Sequence, residues 1–392
     1  MPDIKVGPAQ EQDYEELMAM LDNVFFLEDD EEPKRTFLTL LPKLYKKEYR
    51  PWENNYCVWE DGVMKAAVGM YVYDTGIAGE NLRVGGIGNV AVARDSRRKG
   101  YMKLAMDAAM DAMKAAGCSF GELGGQRQRY QFWGFERGGI AVDASFSEKN
   151  LRHAFGENAL DPDWRAEEIK PGDSKAIEQV LAFIEAQPIH YKHSPAAFYD
   201  HLCSWNELPH AIWKGESLEG FFTLSRDRRH IGQLRLRDAG NLEMAVRAAY
   251  TVLPEGSFRS IGMTIPMWQR DLLRAAEEIS EGCDTDDTGM YTVLNWEKML
   301  GALMKLQAVC RPLPDGQMCI HIEGWAGEEC LCISVQDGVP SISACTCESE
   351  KTLTHLEAMR YFLAPYTILR DGDALAQCWF PLPLCLMGID TV

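Results

Sequence analysis

Arg97-Arg98-Lys99-Gly100 sets three cations and a glycine directly ahead of a segment rich in helix formers. About thirty residues later Tyr130 stands four positions before Gly134-Phe135. The first amides of a helix have no partner inside it, and the macrodipole is positive there. Such an end accepts an anion. Gly100 lets the backbone approach a phosphate closely, and Arg97 and Arg98 can add charge-assisted hydrogen bonds. Lys99 is expected only to face water. No Gly-Lys-Ser/Thr follows, so this is not a Walker loop; Gly86 and Gly88 do not complete G-x-G-x-x-G. The plainer alternative is a solvated surface loop and a core tyrosine.

These residues need a scaffold. Val90 and Val92 alternate with small residues, the period of a strand. Met102, Ala105, Met106, Ala109 and Met113 share one stripe of a helix expected over Tyr101 to Ala116, and Gly117 stops it. A strand at Phe120 to Leu123 and a short helix at Tyr130 follow. Upstream, an amphipathic helix is expected over residues 11–26, then five carboxylates, Glu28 to Glu32. A second helix is expected over Lys34 to Tyr45. A hairpin pairs Tyr56–Glu60 with Val63–Tyr73 through Asp61-Gly62, and a loop covers Asp74 to Asn81.

The chain has 392 residues, room for two to three domains. Its 46% apolar and 25% charged content is that of a globular protein. No apolar run near twenty residues predicts a membrane span, and the opening Met-Pro-Asp-Ile-Lys-Val has no leader-like core. A net charge of −19 disfavours nucleic acid and suits a cationic partner. Twelve cysteines without an export signal are expected as free thiols in the cytoplasm. Cys330/Cys332 and Cys345/Cys347 raise zinc, but both pairs lie in strand-like runs with the wrong gap. They are expected to pack, and no metal is expected.

Arg-Arg-x-Gly after a Val-x-Val strand, with Tyr130 and Gly134-Phe135 after the next strand, resembles the GNAT acetyltransferases. The order of two helices, hairpin, strand, helix, strand and helix is similar to theirs. A second unit repeats it. It runs through a strand at Trp164–Ile169, helices at 173–187 and 195–202, a hairpin around Gly215-Glu216, a strand at His230–Arg237 and a helix at 241–252. There Asp238-Ala239-Gly240 replaces Arg-Arg-x-Gly, so coenzyme A binding is expected only in the first unit. A third part holds a strand at 291–295, a helix at 296–305, three strands between 318 and 347, and a helix at 350–362. It ends in an apolar tail, Trp379 to Val392, expected to dock inside the protein.

The three-part layout resembles the Eis-like (enhanced intracellular survival) acetyltransferases. The resemblance implies an α+β, layered α/β chain. It divides into an active GNAT domain at 1–150, a degenerate GNAT domain at 151–290 and a sterol-carrier-protein-like domain at 291–392. It implies acetyl transfer from acetyl-CoA, without metal, to a primary amine of a cationic acceptor that is aminoglycoside-like, a polyamine or lysine-type. It also implies a homo-hexamer. In such a site the amides of Val90 and Val92 hold the pantetheine arm, and one of them stabilises the oxyanion. Gly85, Gly86 and Gly88 tolerate the bulge that splays this strand from the next. Arg97, Arg98, Gly100, Tyr101 and Met102 cradle the pyrophosphate. Tyr130 protonates the departing thiolate; a phenol near pKa ~10 and a thiol near ~8.5 are close enough for transfer. The strand at 89–93 offers no Glu as base. The resemblance assigns proton movement to the C-terminal carboxylate, here Val392. His193 and His210 are weaker alternatives, and Cys118 is expected to pack. A non-catalytic acyl-CoA- or lipid-binding carrier is the rival reading, and a silent regulatory protein that keeps only the fold is another.

Overall fold

The computed structural model describes residues 2–27, 34–156, 160–253, 260–346, 349–386 and 388–392. Among these residues, three mixed sheets carry the fold. The first contains β1 (Ile4–Pro8), β2 (Asn55–Glu60), β3 (Val63–Ile77), β4 (Glu80–Val92) and β5 (Phe120–Leu123). Neighbours pair antiparallel through β4, and β4 pairs parallel with β5. The loop expected over 74–81 is instead the tip of one long hairpin. Ala78 and Gly79 both take positive φ there, so the strands continue to within two residues of each other.

Helix α1 (Tyr14–Phe25) buries Leu17 and Leu21 completely. The second expected helix is two single turns, α2 (Phe37–Leu40) and α3 (Pro42–Tyr45). Pro42 disfavours a helical conformation at Leu41, whose ψ is instead 62°. Helix α4 (Tyr101–Ala115) starts from Gly100 at φ 85° and buries Ala105, Met106, Ala109, Met110 and Met113. Fully burying each of these methionines contributes roughly 2 kcal/mol before entropy. A Cβ on Gly85 or on Gly121 would strike Met113, so those two positions face α4. Gly86 and Glu122 therefore face the other way.

The second sheet has seven strands, with a central parallel pair at His230–Leu236 and Ser260–Pro266. It and the first sheet exchange a strand. Ala141–Ser147, early in the chain, pairs with Ser260–Pro266 in the second sheet. Gly289–Val293, late in the chain, pairs with β5 in the first. Each sheet thus carries a strand from beyond the boundaries expected at 150 and 290. A further short strand, Ile189–Tyr191, pairs with the end of β3.

The third sheet has four strands. Its expected final helix begins only at His355, because Lys351–Thr354 forms a parallel edge strand first. The largest core cluster joins Trp296, Leu303, Met359, Phe362, Trp379 and Phe380. From there the tail runs back to the first sheet, with Leu382, Leu384, Leu386 and Ile389 buried.

Candidate active site

Strand β4 organises the site. Between Ala67 and Gly69 its pairing with β3 slips, and Asn89 takes φ 41°. The bulge expected from glycines is carried by an asparagine, the residue that best tolerates this region after glycine. Its side chain is held at both ends. Tyr45 donates its hydroxyl to Asn89 Oδ1 at 2.6 Å, and Asn89 Nδ2 donates to Asn55 Oδ1 at 2.8 Å. Pairing between β4 and β5 ends at Ile87 and Leu123. Past that point the strands part.

A cavity of about 790 Å³ adjoins the parted strand. Val90, Val92, Arg97, Arg98, Gly100, Tyr101 and Met102 all line it, so every residue expected to bind the cofactor shares one cavity. Arg98 has φ 69° and Gly100 φ 85°, which turns the loop sharply into the start of α4. Neither Arg97 nor Arg98 pairs with a carboxylate among the described residues, and both are exposed. Lys99 does more than face water: its ammonium lies 2.8 Å from Glu60. The cavity, the free guanidinium pair and the open helix start fit a nucleotide-sized polyphosphate.

Tyr130 ends a short helix, Arg127–Tyr130, and is buried. It packs in the cluster on the α4 side with Ile87, Leu123, Trp133 and Phe135, where Val90 and Val92 also sit. Burial raises its pKa, and the neighbouring Arg129 offsets part of that.

Val392 lies on the opposite face of β4. A Cβ on Gly86 would meet Val392 Cγ2 at 2.5 Å, and one on Gly88 would meet the Val392 main-chain carbonyl carbon at 3.3 Å. The approach of the tail is set by Lys43. Its buried ammonium donates to the carbonyl of Ile389 and, at 2.6 Å, to that of Thr391. Burial lowers the Lys43 pKa to about 8, against the pull of Asp390 and Glu122. His193 Nε2 lies 3.1 Å from Asp390 Oδ1, and His201 Nδ1 lies 3.9 Å from the same oxygen. These three groups lie close enough to share one ion. Burial holds the His201 pKa down to about 3, whereas the two imidazoles and Lys43 keep that of Asp390 low despite its burial.

Glu122 on β5 was not anticipated. It is buried, pairs in register with Gly86, and its Oε1 lies 3.3 Å from the place of a Gly86 Cβ. That oxygen has no hydrogen-bond partner among the described residues. Burial pushes its pKa up to about 8, with Lys43 opposing. A lone Glu in the otherwise apolar run Phe-Gly-Glu-Leu was the signal that could have found it.

The remaining candidates lie elsewhere. His210 stacks on Phe222 at 4.9 Å, with its Nδ1 2.9 Å from the Leu208 carbonyl. Cys118 is buried, and burial raises its thiol to about 11. Cys330 and Cys345 face each other with their sulfurs 3.5 Å apart. Cys347 and the carboxylates 28–32 lie outside the described residues. No described helix is long and apolar enough to cross a membrane.

The geometry can be set beside known proteins. Residues 5–135 match the family described as acetyltransferase (GNAT) domain. No curated protein matches the sequence. Among solved structures, a GCN5-related N-acetyltransferase from Kribbella flavida is 14% identical with TM-score 0.66, covering 100% of this chain and 99% of that one. A GCN5-related N-acetyltransferase from Anabaena variabilis is 12% identical with TM-score 0.65, covering 100% of both. Eis1 from Mycobacterium abscessus is 12% identical with TM-score 0.61, covering 98% of both. At such identities the structural likenesses speak for the fold, which extends over the full chain. The matched domain makes this chain an acyltransferase enzyme whose residues 5–135 form a GNAT acetyltransferase domain.

Proposed function

We propose that the chain transfers the acetyl group of acetyl-CoA directly to a primary amine of a cationic acceptor. The observation that carries this is the double use of β4. Its Val90 and Val92 line the cavity beside the Arg97-Arg98 loop, and its Gly86 and Gly88 receive Val392 on the other face. Acetyl-CoA supplies the activated acyl thioester. Arg97, Arg98 and the first amides of α4, at Tyr101 and Met102, hold its pyrophosphate. The terminal carboxylate of Val392 takes a proton from the acceptor ammonium. The freed nitrogen lone pair then attacks the thioester carbon. An amide of Val90 or Val92 stabilises the oxyanion. As the carbon–sulfur bond breaks, the nitrogen gives up its second proton to solvent, Tyr130 gives its proton to the departing sulfur and is reprotonated from water, and Val392 returns the proton it took to solvent. The net change releases one proton per amide formed from an ammonium.

The finer reading is an Eis-like arrangement. It has a catalytic unit at 1–150, a second GNAT unit at 151–290 without cofactor, and a sterol-carrier-like unit at 291–392. The assembly would be a cytoplasmic homo-hexamer. Support for a silent second unit comes from Asp238, whose carboxylate accepts the Gly240 amide at 2.9 Å. A side-chain anion there takes the place a phosphate would need. The carrier alternative gains nothing, since Phe380, Leu382 and Leu384 fill the core beside the third sheet.

The test is a panel of aminoglycosides, polyamines, lysine peptides and simple amines, with thiol release from acetyl-CoA as readout. Acetylation of several cationic amines is expected. Binding of acetyl-CoA without transfer to any amine would overturn the acceptor assignment.

A further inference from the structure

The second sheet has a small pocket of its own, about 180 Å³, against the tail. Its walls include Trp205, Glu207, Thr223, Gly232, Gln233 and Thr391. Three side-chain oxygens there, Glu207 Oε2, Thr223 Oγ1 and Gln233 Oε1, are buried, and apart from the pull of the Thr223 hydroxyl on the Glu207 carboxyl none has a hydrogen-bond partner among the described residues. Thr223 and Gln233 are each only 1% exposed. Unpartnered buried oxygens are costly, and three facing one space call for a shared donor. Burial raises the Glu207 pKa to about 7; the Thr223 hydroxyl offsets part of that, while Asp227 adds to it. No lysine or arginine pairs with this carboxyl among the described residues; the nearby Lys43 ammonium is turned to the main-chain carbonyls of Ile389 and Thr391 instead.

The space is kept open by the backbone. A Cβ on Gly232 would sit 3.1 Å from Glu207 Oε2 and 3.2 Å from Thr223 Oγ1. Trp205 and Asn206 both take left-handed conformations, φ 60° and 58°. That is uncommon for a bulky residue and is held only where the surroundings insist on it. It places the indole beside the tail, where Nε1 donates to the Thr391 carbonyl at 3.3 Å.

We propose that this pocket binds a primary alkylammonium group, the far cationic end of a diamine or polyamine acceptor. An ammonium offers three donors to three waiting acceptors. The wall residue Thr391 is bonded to Val392, so the pocket adjoins the end of the tail that the amine-transfer reading places at the acceptor. Naming the ligand as acceptor rests on the amine-transfer reading; affinity for an ammonium does not.

The experiment uses the full-length protein without acetyl-CoA. Calorimetry with 1,4-diaminobutane and with spermidine is run on the unmodified chain, Glu207→Gln and Gly232→Ala. One site per chain is expected, weakened tenfold or more in each variant, with acetyl-CoA affinity unchanged. A second arm compares acetylation of 1,4-diaminobutane with that of butylamine. In Glu207→Gln the diamine KM should rise about tenfold at constant kcat, and butylamine kinetics should not move. Equal diamine affinity in all three proteins, or none in the unmodified chain, would overturn the pocket. Failure of every amine to react would sink the acceptor reading, while calorimetry would still decide the pocket.

Discussion

Lys43 holds the tail by donating to the Thr391 carbonyl at 2.6 Å, one residue before Val392 meets Gly86 and Gly88. Residues 389–392 are therefore fixed by a buried ammonium and by missing side chains on β4. Gly86→Ala puts a methyl 2.5 Å from Val392 Cγ2, which the tail can relieve only by moving. Turnover should fall at least tenfold with acetyl-CoA affinity within about twofold, since a small misplacement of a reacting group is enough. A short extension after Val392 should act likewise. Full turnover in both proteins would remove Val392 from the reaction.

Arg98→Glu should weaken acetyl-CoA binding by at least tenfold, because a charge-assisted contact becomes a repulsion. Titration calorimetry on the unmodified chain should give one site per chain. Two equal sites would mean that the Asp238 loop also binds cofactor.

Tyr130→Phe keeps the ring in its cluster and removes only the hydroxyl. Losing a positioned acid typically costs on the order of a hundredfold in kcat, with KM little changed. Steady-state kinetics at saturating acetyl-CoA decide it. Near-normal turnover would leave Tyr130 a core aromatic.

Glu122 couples stability to pH. Its folded pKa is raised to about 8, so the folded state holds a proton that the unfolded chain has already lost. That stabilisation is complete below the unfolded pKa, about 4.5, and is lost as pH rises through 8. The upper bound is roughly 5 kcal/mol. Glu122→Gln should flatten this decline, with its melting temperature falling less than that of the unmodified chain between pH 5 and 8. Parallel curves for the two proteins would show that Glu122 is paired in the folded state.

The cofactor side was legible because its signals are local. Gly100, the arginines and the α4 stripe lie within some twenty residues, and periodicity reports them directly. The acceptor side was not. Lys43, Glu122 and Asp390 meet across hundreds of residues, and nothing in the runs around Lys43 or Asp390 marks them. The split of α2 from α3 was readable from Pro42 and was missed because the apolar period continues through it. Asn89 escaped notice beside three glycines that were the more obvious bulge formers.

The strand exchange was invisible, since Ala141–Ser147 and Gly289–Val293 keep the same pattern in either sheet. It bears on how the chain comes to be folded. Synthesis delivers β1 to β5 first, yet the edge of β5 stays unpaired until residue 293 has left the ribosome. Until then the nascent sheet presents an open edge that invites pairing with other chains. Closing it requires contacts about 170 residues apart, which slows folding. An excised 1–150 fragment would keep the phosphate loop but lack its neighbour strand, and should aggregate or need a helper peptide spanning 289–293. Shortening the gene to a minimal catalytic module is thus closed off by topology, whatever the second unit itself binds.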